Sequence, residues 1–251
     1  MINRSYLKLA RQGNNQWWRY CLGTLFIWFF SGYIAVSLSI LVVNLAVVRI
    51  DTIATSDQAY LNFIATRIEN VFPMLAVFIV LKWLHQRHIS TVISAEGKLS
   101  IKRILIGIVT CLILILLPFF IDWLFGVYSW LDIVEKFGLE RWSWLPFIMI
   151  STIIQSAGEE FVFRGYLLQG LYLLTSRTKT AVTISSLAFV SVHYSPPYLA
   201  SILSEGIPQL IFYFVFAVMC AVVTLKDNRI ELAIGIHSGW NIFHIMLSGI
   251  S

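Results

Sequence analysis

Three ionisable side chains lie close together in the middle of a long apolar run, and they constrain the fold more than any other feature of the sequence. The run extends from Trp144 to Leu174, and its centre carries Glu159, Glu160 and Arg164. A charge near the centre of a bilayer costs about 2.5 to 3.5 kcal/mol on insertion scales, so it normally faces a bundle interior or an aqueous cavity. On a helix Glu160 and Arg164 are i,i+4 neighbours that can pair, whereas Glu159 points about 100° away and faces another group.

The composition of the chain is that of a membrane protein. Of its 251 residues 58% are hydrophobic and only 12% are charged, and its mean hydropathy is +0.79. A soluble domain carries about a quarter of its residues as charged side chains. The sequence therefore predicts an all-α, polytopic transmembrane helix bundle, a multi-pass protein of the cell membrane in contact with the lipid bilayer.

The basic residues indicate orientation rather than a nucleic-acid partner. The net charge is +5, but Lys and Arg lie in short segments between the apolar runs, where they act as topology signals. With a cytoplasmic N-terminus, 13 of the 18 Lys and Arg fall in segments predicted to be internal. We therefore expect about seven spans, an N-terminus inside and no binding of nucleic acid. The predicted spans are 21–48, 71–84, 104–125, 144–174, 181–194, 207–225 and 231–250.

The remainder of the chain suggests one membrane domain. We expect residues 1–20 to form a solvated tail with aromatic residues at the membrane interface. Residues 1–143 form the N-terminal spans, to which no function is assigned, and residues 144–251 form the functional core of the same bundle. The three cysteines lie inside apolar runs without the spacing of a disulfide framework or a zinc knuckle.

Two other predicted spans carry polar side chains at helical spacing. Phe189 and His193 are i,i+4 on one span, and His237 and Asn241 are i,i+4 on another, so each pair occupies one helix face. At a rise of about 1.5 Å per residue, Glu159, His193, His237 and Asn241 can all lie in the middle to cytoplasmic half of the bilayer core. We therefore expect these four side chains to line one cavity.

A carboxylate and two imidazoles in such a cavity can activate water. The carboxylate can take a proton from water, a histidine can pass a proton to a leaving amine, and Asn241 and His237 can hydrogen-bond a developing oxyanion. Two histidines and one glutamate are also the ligand set of a catalytic zinc site, here Glu159, His193 and His237, although an HExxH motif is absent. These residues alone leave both mechanisms open.

The ordered motifs resemble those of a known family. EExxxR at Glu159 to Arg164, FxxxH at Phe189 to His193 and HxxxN at His237 to Asn241 are similar to the motifs of the CPBP family of intramembrane proteases. That family includes CAAX prenyl endopeptidases and bacteriocin-processing or immunity proteins. The resemblance covers the C-terminal part of the chain, from Trp144 to Ser251.

The resemblance implies a role for each motif residue. Glu159 and His193 would activate water, and His237 and Asn241 would stabilise the oxyanion. Glu160 and Arg164 would form a structural ion pair, and Phe189 would shape the pocket. The resemblance favours a glutamate mechanism without a cofactor, and Asn241 agrees with it because an amide is a poor zinc ligand but a good oxyanion donor.

The function that we expect is intramembrane endoproteolysis of a peptide or protein substrate, either prenylated or a leader peptide. The alternatives are a zinc-dependent version of the protease and a non-proteolytic binding or scaffold protein, such as a bacteriocin self-immunity protein. A small transporter with a proton relay is a third alternative, against which the lack of an inverted repeat counts.

Overall fold

The computed structural model describes residues 5–49, 69–127, 145–193 and 199–248, and in these ranges the chain is almost entirely helical. The end of the predicted span 181–194, most of the segments between the first and second and between the third and fourth predicted spans, and the last three residues lie outside the described ranges. The α-helices are α1 Ser5–Lys8, α2 Trp17–Phe29, α3 Ala35–Arg49, α4 Phe72–Ile79, α5 Ser90–Ile93, α6 Ile101–Leu124, α7 Leu145–Glu160, α8 Leu168–Thr175, α9 Thr178–Val192, α10 Leu199–Asp227 and α11 Glu231–Ser248.

The helix bounds follow the apolar runs of the sequence. The predicted span 104–125 corresponds to α6, 181–194 to α9 and 231–250 to α11, each within about three residues at the ends that are described. Pro118 and Pro208 lie inside α6 and α10. Three helical stretches are long and apolar enough to cross a membrane, Trp17–Leu41, Ile101–Leu124 and Gly206–Asp227, and shorter apolar helices accompany them. The chain is an all-α membrane helix bundle.

Three π-helical segments interrupt the α-helices of the described residues. They are Phe30–Ile34 between α2 and α3, Val80–Leu84 after α4, and Phe161–Leu167 between α7 and α8. A π-turn is rare, and it frequently marks a functional site. The third segment contains Arg164 and directly follows the two motif glutamates. It joins α7 to α8 without a break, so residues 145–175 form one helical run, called the motif helix below.

The chain divides into two compact units, each assembled from three stretches of sequence. The first unit comprises Met1–Phe26, Val77–Ser100 and Glu159–Ala233. The second unit comprises Ile27–Ala76, Ile101–Gly158 and Ile234–Ser251.

The first unit contains the motif helix from Glu159 onward, and this part of the helix has glycine where its neighbours approach most closely. A Cβ at Gly170 would lie 2.4 Å from the ring of Tyr20, and one at Gly165 would lie 2.9 Å from Cβ of Val92. Substitution at either glycine would therefore displace a neighbouring element.

The N-terminal segment belongs to the core of the first unit. Tyr6, Leu7 and Ala10 are fully buried. The Tyr6 hydroxyl donates to the carbonyl of Val92 at 2.6 Å, and the Tyr6 backbone N–H donates to Asn228 Oδ1 at 3.3 Å. The prediction of a solvated tail was therefore wrong for these residues. Their apolar and aromatic side chains find partners that are distant in sequence, which a local pattern does not reveal.

The second unit contains a close contact between α6 and α11. A Cβ at Gly235 would lie 2.1 Å from the carbonyl oxygen of Ile104, and one at Gly239 would lie 2.8 Å from Cβ of Cys111. Two glycines four residues apart allow helix backbones to approach closely in a membrane. The contact fixes α11, which carries His237 and Asn241.

Candidate functional site

The centre of the motif helix carries a buried ion pair. Nη1 of Arg164 lies 2.9 Å from Oε1 of Glu160, and both side chains are at most 1% exposed. Glu160 ends α7, and Arg164 lies in the π-helical segment that follows. Because each charge is compensated by the other, the pair can persist in a region from which water is excluded.

Arg164 also joins the motif helix to two other helices of the first unit. Its Nη2 donates to the backbone carbonyl of Ala217 on α10 at 3.1 Å. Its guanidinium carbon lies 4.6 Å from the ring centroid of Phe189 on α9, which is a cation–π contact. The arginine of the first motif therefore packs against the phenylalanine of the second.

Phe189 in turn orients His193. The two ring centroids are 4.5 Å apart, and Nδ1 of His193 lies 2.8 Å from the backbone carbonyl oxygen of Phe189. α9 ends at Val192, and the backbone N–H of His193 bonds to the carbonyl of Val190 instead of that of Phe189. The Phe189 carbonyl, at the end of the helix, accepts the hydrogen bond of the imidazole.

This hydrogen bond determines the tautomer of His193. A carbonyl oxygen can only accept, so Nδ1 carries the proton and Nε2 of the neutral ring has a free lone pair. The FxxxH spacing has a physical reason, because the histidine four residues after the phenylalanine reaches its carbonyl oxygen at the helix end. The half-buried His193 thus presents Nε2 as a base or an acceptor.

Tyr213 is a neighbour of His193 that the sequence motifs do not contain. Its ring stacks on the imidazole, with centroids 4.6 Å apart and an interplanar angle of 30°. Tyr213 lies on α10, and nothing in its local sequence distinguishes it from the other aromatic residues of an apolar helix. Only the packing of α10 against α9 identifies it.

The remaining predicted site residues are divided between the two units. Glu159, half-buried, belongs to the first unit together with His193. His237 and Asn241 belong to the second unit, where His237 is 3% exposed and Asn241 is half-buried on α11. The convergence of all four side chains on one cavity stays a prediction. Within either unit, the described residues contain no group of three or more His, Cys, Asp or Glu side chains that could hold a metal ion.

A buried polar network supports the C-terminal part of the motif helix. The carboxamide of Gln169 accepts a hydrogen bond from Arg87 at 2.7 Å and donates to the backbone carbonyls of Tyr6 and Thr91 at 3.2 and 2.9 Å. Gln169 is fully buried. This side chain therefore ties the N-terminal segment and the loop before α5 to the motif helix.

His85, which lies in the basic segment after the second predicted span, is also fully buried in the first unit. Its Nδ1 donates to the carbonyl of Asn14 at 2.7 Å, and its Nε2 accepts from the hydroxyl of Tyr166 at 3.0 Å. Burial, with a smaller contribution from the charges of Arg87 and Arg19, lowers the pKa of His85 to about 4 against the opposing effect of the hydrogen bond to the Asn14 carbonyl. The ring is therefore neutral at physiological pH.

Comparison with known proteins gives a family match in the C-terminal part of the chain. Residues 141–243 match the sequence profile of a family described as type II CAAX prenyl endopeptidase, Rce1-like. The chain is also similar to the uncharacterized protein YyaK of Bacillus subtilis (strain 168), with 28% identity over 243 residues that cover 94% of this chain and 79% of YyaK. No solved structure matches the chain.

The match includes every residue of the three motifs, from Glu159 to Asn241, together with Tyr213. It also agrees with the resemblance that the ordered motifs indicated. Residues 141–243 are thus similar to the Rce1-like family of type II CAAX prenyl endopeptidases.

Proposed function

We propose that this protein is an intramembrane endopeptidase that hydrolyses a peptide bond with water activated by Glu159 and His193. The observation that carries the proposal is the orientation of His193, whose Nδ1 is held by the Phe189 carbonyl and whose Nε2 is left as an acceptor. The family match over residues 141–243 supports the same reaction class.

A water between two acceptors has the correct arrangement for attack. The water would donate one hydrogen to the Glu159 carboxylate and one to Nε2 of His193, so its oxygen lone pairs would face the scissile carbonyl. As the new C–O bond forms, one proton passes to the carboxylate or the imidazole. That group then donates the proton to the departing amine as the C–N bond breaks.

Asn241 and His237 would stabilise the negative charge that develops on the carbonyl oxygen. Both lie on α11 at i,i+4 spacing, so their side chains occupy the same face of that helix. An asparagine amide and an imidazole N–H are each able to donate to an oxyanion. In this proposal Glu160 and Arg164 touch no reacting atom, and Phe189 transmits the position of Arg164 to His193.

The substrate would be a peptide or protein at the membrane, prenylated or a leader peptide. A comparison of the cellular peptide termini produced with the wild-type protein and with Glu159→Gln would identify it. We expect new termini only with the wild-type protein. Glu96→Gln is the control for loss of a carboxylate, because Glu96 is 72% exposed and lies outside the motifs.

Substitution of the site residues tests the assigned roles in a purified assay. We expect Glu159→Gln and His193→Ala to abolish turnover, because each removes an acceptor for the attacking water. Asn241→Ala should lower kcat by about 10² to 10³, the usual loss for one oxyanion donor. Equal biological activity of the wild-type protein and Glu159→Gln would instead favour a binding or scaffold role, such as self-immunity.

Zinc dependence is the alternative mechanism, in which Glu159, His193 and His237 would be the ligands. We expect full activity of the purified protein in the presence of a chelator and no gain on addition of zinc. Stoichiometric zinc in the protein, loss of activity in the chelator and recovery with added metal would contradict the proposed roles.

A further inference from the structure

Tyr213 is the contact of His193 that the three motifs leave without a role. We propose that Tyr213 is a positioning residue, whose ring keeps the His193 imidazole in the plane in which Nε2 meets the attacking water. The inference rests on the proposed function, because it assigns a supporting residue to the histidine of that mechanism. The contact itself is a geometric fact, with ring centroids 4.6 Å apart and the rings 30° from parallel.

His193 needs such a restraint because of its place in the chain. It follows the last residue of α9, so its backbone lacks the hydrogen bond to the residue four positions before it. The bond from Nδ1 to the Phe189 carbonyl fixes one atom of the ring. A ring held at one atom can still pivot about that bond, and Nε2, on the far side of the ring, would move most.

Two aromatic rings limit this pivoting motion. Phe189 lies 4.5 Å from the imidazole at an interplanar angle of 39°, and it is itself held under the Arg164 guanidinium. Tyr213 approaches from α10, the helix whose Ala217 carbonyl also accepts a hydrogen bond from Arg164. The imidazole is therefore positioned by both helices that contact Arg164.

The expected size of the effect follows from the energy of an aromatic pair. The stabilising free energy of such a pair exceeds that of ordinary apolar burial by an amount that corresponds to about a 3- to 10-fold change in a rate or equilibrium constant. The ring, rather than the hydroxyl, makes the stacking contact. Tyr213→Phe should therefore retain the wild-type rate, whereas Tyr213→Leu and Tyr213→Met, which keep an apolar side chain without a ring, should have a lower rate.

The first measurement reports on the contact independently of activity. Full-length protein in detergent, labelled with ¹³C at the histidine ring, gives signals from five histidines. The spectrum of His193→Gln assigns the signal of His193. We expect this signal to shift in Tyr213→Leu and Tyr213→Met, where the ring current is lost, and to remain in place in Tyr213→Phe.

The second measurement is the rate of cleavage of a quenched-fluorescence peptide. The peptide spans the cleavage site that the comparison of wild-type and Glu159→Gln cells identifies. We expect Tyr213→Leu and Tyr213→Met to lower kcat by about 3- to 10-fold with KM little changed, and Tyr213→Phe to stay within about 2-fold of wild type. Ile211→Ala is the control, because Ile211 is 57% exposed on the same turn of α10 and should alter neither measurement.

The outcomes separate this inference from the proposed function. Wild-type kcat in Tyr213→Leu and Tyr213→Met, with the His193 signal shifted, would overturn the positioning role and leave the role of His193 intact. Equal losses in Tyr213→Phe and Tyr213→Leu would assign the effect to the hydroxyl and also overturn the inference. Activity in His193→Gln, by contrast, would refute the proposed function itself.

Discussion

At the scale of single residues, Arg164 makes three different contacts in the first unit, and no other side chain can replace all of them. It pairs with Glu160, donates to the Ala217 carbonyl and lies over the Phe189 ring, all while 1% exposed. The planar guanidinium permits these contacts together, because its donors point in several fixed directions. A lysine ammonium has no such plane, and it cannot reproduce all three.

We therefore predict that Arg164→Lys destabilises the protein although it preserves the charge. Complete loss of one partner of a buried ion pair costs about 3 to 5 kcal/mol, and lysine should recover only part of this energy. Thermal unfolding in detergent is the measurement, with Arg177→Lys, at an exposed position after α8, as the neutral control. Equal stability of Arg164→Lys and wild type would contradict the argument.

The second residue-scale prediction concerns His85 and pH. The folded protein holds the pKa of His85 at about 4, whereas the unfolded chain has the ordinary value of about 6.5. Between these values the unfolded chain binds more protons than the folded protein, so stability falls as the pH falls from about 6.5 towards 4. From pH 7.5 to pH 5 the loss attributable to His85 is about 2 kcal/mol.

Thermal unfolding at pH 7.5 and pH 5 measures this loss. We expect His85→Gln to show a smaller difference between the two pH values than the wild type. His88→Gln is the matched control, because His88 is exposed in the same loop and should retain the wild-type difference. An unchanged pH dependence in His85→Gln would show that other groups cause the acid sensitivity.

At the scale of helices, the contact between α6 and α11 depends on the absence of a side chain at Gly235. A Cβ there would meet the Ile104 carbonyl at 2.1 Å, and main-chain atoms cannot move aside as the end of a flexible side chain can. We predict that Gly235→Ala separates the two helices and markedly lowers the temperature of unfolding. Gly32→Ala is the control, since among the described residues no atom beyond its own helix backbone lies within 4 Å of the added Cβ, and alanine generally favours a helix. A Gly235→Ala protein as stable as Gly32→Ala would refute the close contact.

The helices themselves were largely predictable from sequence, whereas their irregularities were not. The apolar runs of the sequence give the bounds of α6, α9 and α11 at the ends that are described, and α6 is also long enough to cross a membrane. The π-helical segment Phe161–Leu167 has no such signal, because its apolar composition suits an α-helix equally well. The spacing of Glu160 and Arg164 identified the two side chains as partners of an ion pair, but it did not identify the Ala217 carbonyl or the Phe189 ring, which other helices supply.

At the scale of the whole molecule, the orientation in the membrane follows from the distribution of basic residues. We predict a cytoplasmic N-terminus and an external end after Ser251, as seven spans require. A reporter that fluoresces only in the cytoplasm, fused after Ser251, should be dark, and a reporter active only outside should give signal. The reverse result would require an even number of spans. A fusion after Lys98 is the internal control, because this loop is strongly basic.

The anchoring of the N-terminal segment affects how the protein can be synthesised. The partners of Tyr6 include Gln169 and Asn228, which follow it by 163 and 222 residues. Ribosomes add about 5 to 20 residues per second, so the bond to Gln169 cannot form until on the order of ten seconds or more after Tyr6 is synthesised. The bond to Asn228 forms later still. Throughout that interval the emerging segment must be shielded by lipid, by an insertase or by a chaperone. A chain released before residue 228 would lack the partner of the Tyr6 N–H, so a prematurely terminated product would expose its own first helix to the proteases of cellular quality control.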